Sequence, residues 1–258
     1  MKVITPNSPK GGPGKSTTSI LLINALTAIG KKVLTIDSDT VNHSLSSYYN
    51  EKYNLDDILG KNIFNVFSGK SIKNNVLPVR KNLDLIHGDV RLIDFRTVEY
   101  QKLKHLLHEV QNEYDYCIID TSPDYHNIIV NALYASDVLL IPVIPDLFNY
   151  QSIKFLINKL YDLELDQLDV KIFFNQYEEP RTANEKAYSN QILQAFYTDK
   201  KVSPFLVKKH LPKSSYLKKY ISSDMKIKNN KAMGKLYQSI ISFLCEITGE
   251  NFSHLGEL

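Results

Sequence analysis

The segment from Pro9 to Thr17 has the composition of a loop that binds phosphate. It reads Pro-Lys-Gly-Gly-Pro-Gly-Lys-Ser-Thr and lies between a short apolar run and a helix-length segment. Small residues allow successive backbone N–H groups to curl around phosphate oxygens, and the start of a helix places a partial positive charge beside the anion. The predicted phosphate-binding residues are Gly11, Gly12, Pro13, Gly14, Lys15, Ser16 and Thr17.

The side chains that follow the last glycine have defined roles in loops of this kind. Lys15 is expected to reach the β- and γ-phosphates, and the Ser16 hydroxyl is expected to ligate Mg²⁺. We expect Thr17 to bond the α-phosphate. The ordinary motif G-x-x-x-x-G-K-[ST] fails, because Pro9 replaces its first glycine, but the variant K-G-G-x-G-K-[ST] fits and adds a lysine at position 10. A glycine-rich turn without a ligand is the alternative interpretation.

Three carboxylates come at the ends of two apolar runs. Asp37 and Asp39 end the run 33–36, and their i, i+2 spacing lets both leave the same face of a strand. Asp120 ends the run 116–119. Isolated acids in such places are usually helix caps or solvated loop residues. Because a phosphate loop needs acidic partners for metal and water at neighbouring strand ends, we favour a functional role for all three.

Short apolar runs alternate with helix-length segments along most of the chain. The predicted strands are 3–5, 32–36, 83–86, 116–119, 138–141 and 170–174, with a further one near 205–207. The predicted helices are 16–29, 91–112, 149–163 and 232–247. This alternation predicts an α/β fold with a doubly wound, mostly parallel sheet flanked by helices. We predict one domain over residues 1–258, in which 40–80 is either an insertion or a partner-facing flap.

The composition excludes several classes of protein. With 43% hydrophobic and 23% charged residues, 10 Gly and 10 Pro, the chain is neither disordered nor collagen-like. Its two cysteines, Cys117 and Cys245, lie far apart in apolar runs, which is typical of a reduced compartment. No run approaches the roughly 18 apolar residues that would span a bilayer, and residues 1–5 lack the apolar core of a signal peptide. These features predict a cytoplasmic protein.

Positive charge is concentrated near the end of the chain. Residues 200–231, called the basic segment below, contain ten Lys and one acid, Asp224, and therefore carry +9. Since the whole chain carries +3, the remainder carries −6. Lysines interleaved with aromatic residues are typical of a surface that contacts nucleic-acid phosphates, although a solvated basic face is the alternative.

The K-G-G-x-G-K-[ST] loop, the D-x-D pattern at 37–39 and the strand-terminal Asp120 together resemble the ParA/MinD group of deviant Walker A ATPases. Within that group, the chain is most similar to the ParA-type (Soj-like) DNA partition ATPases. Shorter matches follow in the family's order at residues 58–86, 131–142, 174–177 and 211–214. The resemblance extends over nearly the whole chain and implies the P-loop NTPase fold.

The resemblance also implies ligands and residue roles. The cofactors would be ATP and Mg²⁺. Lys10 would cross a nucleotide-sandwich dimer and touch the phosphates bound by the other subunit. Ser16, Asp37 and Asp120 would hold the metal, partly through waters, and Asp39 would orient or activate the attacking water. The implied catalytic residues are Lys10, Lys15 and Asp39, and the residues implied to lie beside the nucleotide further along the chain are Asn175 and Pro212.

The implied function is an ATP-dependent dimerising switch for plasmid or chromosome partition. The ATP dimer would bind nonspecific DNA on the nucleoid, and a ParB-type centromere-binding protein would stimulate weak ATP hydrolysis. The lysines implied to contact DNA are Lys208, Lys209, Lys213, Lys218 and Lys219. The chain's last residues are acidic, so no stable membrane binding is expected. The alternatives are a MinD-like ATPase that positions a protein complex at a membrane or pole without DNA, and a small-molecule kinase.

Overall fold

The computed structural model describes residues 1–40, 42, 44–49, 53–95, 98–123, 126–165, 167–177, 180, 182–212 and 231–252, without the side chains of 212 and 231–235. The chain folds into two compact units. The first contains Met1–Asn7 and Lys15–Leu139, and the second contains Ser8–Gly14 and Leu140–Leu258.

The first unit is built on five strands in the order β3-β4-β2-β5-β1. They are β1 (Lys2–Pro6), β2 (Val33–Ser38), β3 (Leu77–Arg80), β4 (Leu83–Ile86) and β5 (Tyr116–Thr121). Their pairs are parallel except for β3 with β4. Strands β2 and β5 are buried at every position, as expected for parallel strands covered on both faces.

Six α-helices belong to the described part of this unit. They are α1 (Lys15–Ala28), α2 (Ser44–Tyr49), α3 (Leu55–Gly60), α4 (Ile63–Phe67), α5 (Lys102–Leu107) and α6 (Asn127–Ala135), and 3₁₀ helices cover Lys73–Asn75 and Val90–Asp94. Helix α1 ends at Ala28, and Gly30 follows with a left-handed φ of +85°, which lets the N–H of Lys31 return to the carbonyl of Leu26 at 3.0 Å.

The core of the first unit decides which strand residues can reach a ligand. Leu34 and Ile36 of β2 pack in one apolar cluster with side chains of α4, α5 and α6. Successive strand residues point to opposite faces, so Asp37 belongs to the other face, the one that α1 covers. The carboxyl ends of β2 and β5 thus present polar residues to the first turns of α1.

The second unit continues with strands in the order β6-β7-β8. Its elements are β6 (Val138–Val143, which begins in the first unit), α7 (Leu147–Asp162), β7 (Asp169–Tyr177), α8 (Ala183–Thr198), a 3₁₀ helix (Ser203–Phe205), β8 (Leu211–Pro212) and α9 (Lys231–Thr248). Aromatic rings join β7 to the helices: Phe173 lies 4.8 Å from Phe243 of α9, and Phe174 lies 5.2 Å from Phe196 of α8.

The doubly wound α/β fold is confirmed, and so are six of the predicted strands and the helices 16–29, 149–163 and 232–247. The predicted helix 91–112 is wrong. A 3₁₀ turn at Val90–Asp94 ends where Phe95 takes ψ +66°, and only the separate α5 follows. The expected strand near 205–207 is also wrong, because Phe205 ends a 3₁₀ helix that contains Pro204, and Leu206 makes an isolated bridge to Ile172.

The region 40–80, predicted as an insertion or a partner-facing flap, contains regular structure, including α2, α3, α4 and β3. Within the described ranges, none of the helices combines the length and the apolar character needed to cross a bilayer.

Candidate functional site

The loop Ser8–Gly14, in the second unit, has the backbone that a phosphate cradle requires. Gly12 has φ +94° and Gly14 has φ +99°, in the region that only glycine adopts without strain. A Cβ atom built on Gly11 or Gly12 would meet no atom within 4 Å. The need for glycine at position 12 therefore comes from backbone conformation and not from lack of space.

Two side chains at the end of β7 donate hydrogen bonds to backbone carbonyl groups of this loop. The Asn175 side-chain amide donates to the carbonyl oxygen of Pro13 at 2.6 Å, and the Gln176 amide donates to that of Gly12 at 3.5 Å. In a planar trans peptide the carbonyl and the N–H point in opposite directions. Asn175 therefore directs the Gly14 N–H away from β7, whereas Pro13 has no N–H to present.

Lys10 lies over an exposed aromatic ring in the second unit. Its Nζ is 5.0 Å from the ring centroid of Phe148, a residue that is 74% exposed at the start of α7. A cation over a ring face at an exposed position contributes about 0.5–1 kcal/mol. The contact with Phe148 by itself therefore stabilises this position of Lys10 only weakly.

In the first unit, the first turns of α1 meet the end of β5. The Ser16 hydroxyl and the Ser19 hydroxyl both hydrogen-bond Asp120, the latter at 2.7 Å to Oδ1. Lys15 is buried, whereas Thr17 is exposed. The sequence interpretation missed Ser19, although its spacing of three residues from Ser16 places both hydroxyls on one face of a helix.

Asp37 and Asp120 are direct neighbours in the β2–β5 register. The oxygens of Asp37 accept backbone N–H groups, Oδ1 from Asp39 at 3.0 Å and Oδ2 from Ser46 at 2.8 Å. Asp39 Oδ1 accepts from the N–H of Asn42 at 3.1 Å. The structure therefore brings the three predicted carboxylates together beside the start of α1.

Asp120 is the most perturbed member of this group. Burial, together with the negative charges of Asp37 and Asp39, raises the pKa of its carboxyl to about 7 against the opposing hydrogen bonds from Ser16 and Ser19. Its Oδ2 is buried and has no hydrogen-bond partner among the described residues. A buried acceptor without a donor, next to two other carboxylates, fits a hydrated cation.

The oxygen atoms of Ser16, Asp37 and Asp120 suit Mg²⁺, which keeps some of its waters, better than a metal whose ligands all come from the protein. Among the described residues there is no cluster of three His, Cys, Asp or Glu side chains that could hold a metal directly. Mg²⁺ usually keeps several of its waters and takes one or two protein oxygens. The Ser16 hydroxyl would supply one protein oxygen, and Asp37 and Asp120 would accept hydrogen bonds from the waters that Mg²⁺ keeps.

The other predicted site residues lie in the second unit or outside the described residues. Pro212 is in β8, opposite Tyr177 in the β7–β8 pairing. The backbone N–H groups of Lys208 and Lys209 donate to the carboxylate of Glu246 on α9, at 2.7 and 3.0 Å. The predicted DNA contacts that lie outside the described residues are Lys213, Lys218 and Lys219.

Comparison with known proteins gives matches over the part of the chain that contains the loop 8–14, α1 and the three carboxylates. Residues 1–172 match the model of a family described as an AAA domain. The sporulation initiation inhibitor protein Soj of Bacillus subtilis (strain 168) is 32% identical over 164 residues, which cover 61% of this chain and 64% of that protein. The alignment therefore spans a little under two thirds of Soj.

Two solved structures from Borrelia burgdorferi extend the likeness beyond that region. One, from strain B31 with AMPPNP bound, is 28% identical with a TM-score of 0.76, covering 95% of this chain and 99% of that chain. The other, a plasmid partition protein, is 27% identical with a TM-score of 0.69, covering 87% and 95%. The first shows that a similar chain of nearly equal extent binds an ATP analogue.

Proposed function

Because this chain belongs to the AAA domain family and is a ParA-type P-loop ATPase of the ParA/MinD group, we propose that it is an ATP-dependent dimerising switch for DNA partition. The observation that carries the proposal is the loop of residues 8–14, with left-handed Gly12 and Gly14, which leads directly into the α1 residues that bond Asp120. Similarity to Soj and to a plasmid partition protein supports this role.

The residues of the loop and of α1 would bind the nucleotide. Backbone N–H groups of residues 11–14 would surround the phosphates, with Gly14 directed by Asn175, and Lys15 would neutralise the β- and γ-phosphates. Mg²⁺, when bound, neutralises charge that develops as the phosphoryl group leaves. Ser16, Asp37 and Asp120 would hold it, so the orphaned oxygen of Asp120 would gain a water donor.

Hydrolysis would depend on Asp39 and on a second copy of the chain. Asp39 would orient the attacking water, and Lys10 would leave Phe148 to reach the phosphates bound by the other copy. A positive charge supplied by a partner is absent until dimerisation, so basal turnover would be slow. A ParB-type partner protein would accelerate the reaction and release the dimer.

The basic segment would carry the dimer on DNA. Its charge of +9 stands against −6 for the rest of the chain, so electrostatic attraction to phosphates would be confined to one region. Lysines act as point charges and give affinity without sequence readout. Nonspecific binding to the nucleoid follows from this, and affinity should fall steeply as salt is raised.

The test is DNA binding at fixed low salt without nucleotide, with ADP and with ATP·Mg²⁺. Unaltered protein should bind a nonspecific duplex only with ATP·Mg²⁺, and Lys10→Ala should abolish that binding. Lys104→Ala, which removes an exposed lysine of α5, is the matched control and should bind normally. ATP-dependent dimerisation without DNA binding under any condition would favour the positioning alternative instead.

A further inference from the structure

Asp37, one of the proposed magnesium-site residues, is held by a chain of hydrogen bonds that reaches the next strand of the sheet. The Ser46 N–H donates to Asp37 Oδ2 at 2.8 Å. The Ser46 hydroxyl oxygen in turn accepts the N–H of Gly88 at 2.8 Å. His87 Nδ1 lies 2.6 Å from the carbonyl oxygen of Gly88, and since a carbonyl only accepts, this ring nitrogen carries the proton.

The strand register explains why these residues meet. Ile36 of β2 pairs with Ile86, the last residue of β4, and each is followed directly in the chain, Ile36 by Asp37 and Ile86 by His87. On the other side, Asp37 pairs with Asp120 of β5. His87, Asp37 and Asp120 therefore lie at one level of the sheet, at the carboxyl ends of three adjacent parallel strands. Ser46 belongs to α2, which follows β2 in the chain.

Helix α2 is fixed at its other end as well. The Tyr49 hydroxyl donates to Asn24 Oδ1 on α1 at 3.1 Å, and the Arg80 guanidinium donates to the same oxygen at 2.6 Å. A helix of six residues has little stability of its own. Its position is set by the contacts at Tyr49 and by those at Ser46, and of these two residues Ser46 is the one that bonds Asp37.

We propose that Ser46 and His87 are positioning residues for Asp37, which fix its carboxylate in the orientation that receives the waters of magnesium. The inference rests on the proposed function of Asp37. Both oxygens of Asp37 accept N–H groups, and such bonds stabilise a carboxylate in one rotamer. Removing Ser46 Oγ would leave the buried Gly88 N–H without its acceptor and release the turn that presents the Ser46 N–H.

His87 distinguishes positioning from simple stabilisation of the fold. It is 8% exposed, and its Nε2 is buried without a hydrogen-bond partner among the described residues. The unsatisfied Nε2 costs stability that an apolar replacement recovers, whereas loss of the Nδ1 bond leaves the Gly88 carbonyl without that donor, so the two effects on folding oppose each other. The contact that links His87 to Ser46 and Asp37 is the bond from Nδ1 to Gly88.

The test is a Mg²⁺ titration of the binding of a fluorescent ATP analogue to the full chain. Ser46→Ala and His87→Leu should raise the Mg²⁺ concentration at half-saturation by about tenfold, the usual effect of losing a residue that orients a metal ligand. Analogue affinity measured in EDTA should stay unchanged. Ser46→Thr and His87→Asn, which keep a hydroxyl or a donor at the same place, should restore most of the Mg²⁺ response.

Tyr49→Phe is the matched control, because it removes a hydrogen bond from α2 without touching Ser46. Its Mg²⁺ dependence should equal that of the unaltered protein. Wild-type Mg²⁺ dependence in folded Ser46→Ala or His87→Leu would overturn the proposal. The proposal would also fail if Tyr49→Phe raised the Mg²⁺ concentration at half-saturation as much as those two variants do. If the unaltered protein showed no Mg²⁺-dependent binding at all, the proposed function itself would fail, which is a separate outcome.

Discussion

At the scale of single residues, Asp120 combines burial, neighbouring negative charge and an unsatisfied oxygen. Its pKa of about 7 lies above the ordinary value of 3.8, so the fold favours the neutral carboxyl. Between those two values the folded state binds more protons than the unfolded state, and stability falls as the pH rises through that window. The empty protein is therefore destabilised at neutral pH by the group that would serve the metal.

Asp120→Asn should remove this penalty in the absence of nucleotide and Mg²⁺. Asn keeps an oxygen for Ser19 but never ionises, so the gain in the free energy of unfolding should grow by about 3 kcal/mol between pH 4.5 and pH 8. Urea unfolding at the two pH values measures it, with the exposed Asp56→Asn on α3 as control. A gain that does not depend on pH would contradict the assignment of the penalty to ionisation.

Asn175 acts on the phosphate loop through the carbonyl of Pro13. Asn175→Ala should weaken ATP binding by about tenfold, because the Pro13–Gly14 peptide loses the bond that orients its N–H. Gln176→Ala, which removes the longer bond to Gly12, should have a smaller effect. Equilibrium binding of ATP and GTP separates positioning of the loop from a contact between Asn175 and the base of the nucleotide. If only discrimination between the two nucleotides changed, Asn175 would be reading the base.

At the scale of elements, α9 anchors the backbone of the basic segment at Lys208 and Lys209. The Glu246 carboxylate accepts the N–H groups of both Lys208 and Lys209. Glu246→Ala should lower the free energy of unfolding by about 1–2 kcal/mol and speed hydrogen exchange at those two amides. Gln238→Ala, an exposed change on the same helix, should do neither. Unchanged exchange at Lys208 and Lys209 would show that other contacts hold the segment.

The central strands were predictable because burial on both faces gives an apolar run, and because parallel strand ends collect at one edge of a sheet. That reasoning places Asp37 and Asp120 together. Strand β3 was not predicted, because Pro78 argues against a strand. The proline is tolerated there because β3 lies at the edge of the sheet. Helix 91–112 failed for a different reason: Leu92 and Leu103 enter one core from separate short turns, which imitates the spacing of a continuous helix.

The hydrogen bonds to Asp37 could not be read from the sequence. Ser46 is nine residues from Asp37, and Gly88 is forty-two residues from Ser46. No local spacing connects them, because the contact depends on the register of β2 with β4 and on where a short helix docks. Local motifs therefore identify the side chains that contact a ligand. The residues that orient those side chains can be identified only from the tertiary structure.

At the scale of the whole molecule, the boundary between the two compact units falls at Gly14–Lys15, within the predicted phosphate-binding residues. The loop Ser8–Gly14 belongs to the second unit, and Lys15 with the rest of α1 belongs to the first. The sequence predicts one domain over residues 1–258. If that is correct, the two units should unfold in one cooperative transition, as single domains usually do.

The two cysteines supply a reporter for each unit. Cys117 is buried in β5 of the first unit, where burial raises the pKa of its thiol, and the half-buried Cys245 lies in α9 of the second. The buried Cys117 thiol reacts with an alkylating reagent mainly when β5 opens, whereas at the half-buried Cys245 the readout is the rise of labelling above its level in the folded protein. Brief labelling at increasing urea, read by mass spectrometry of the two peptides, should give coincident midpoints. A lower midpoint at Cys245 would mean that the chain opens in stages, with its last helix releasing first.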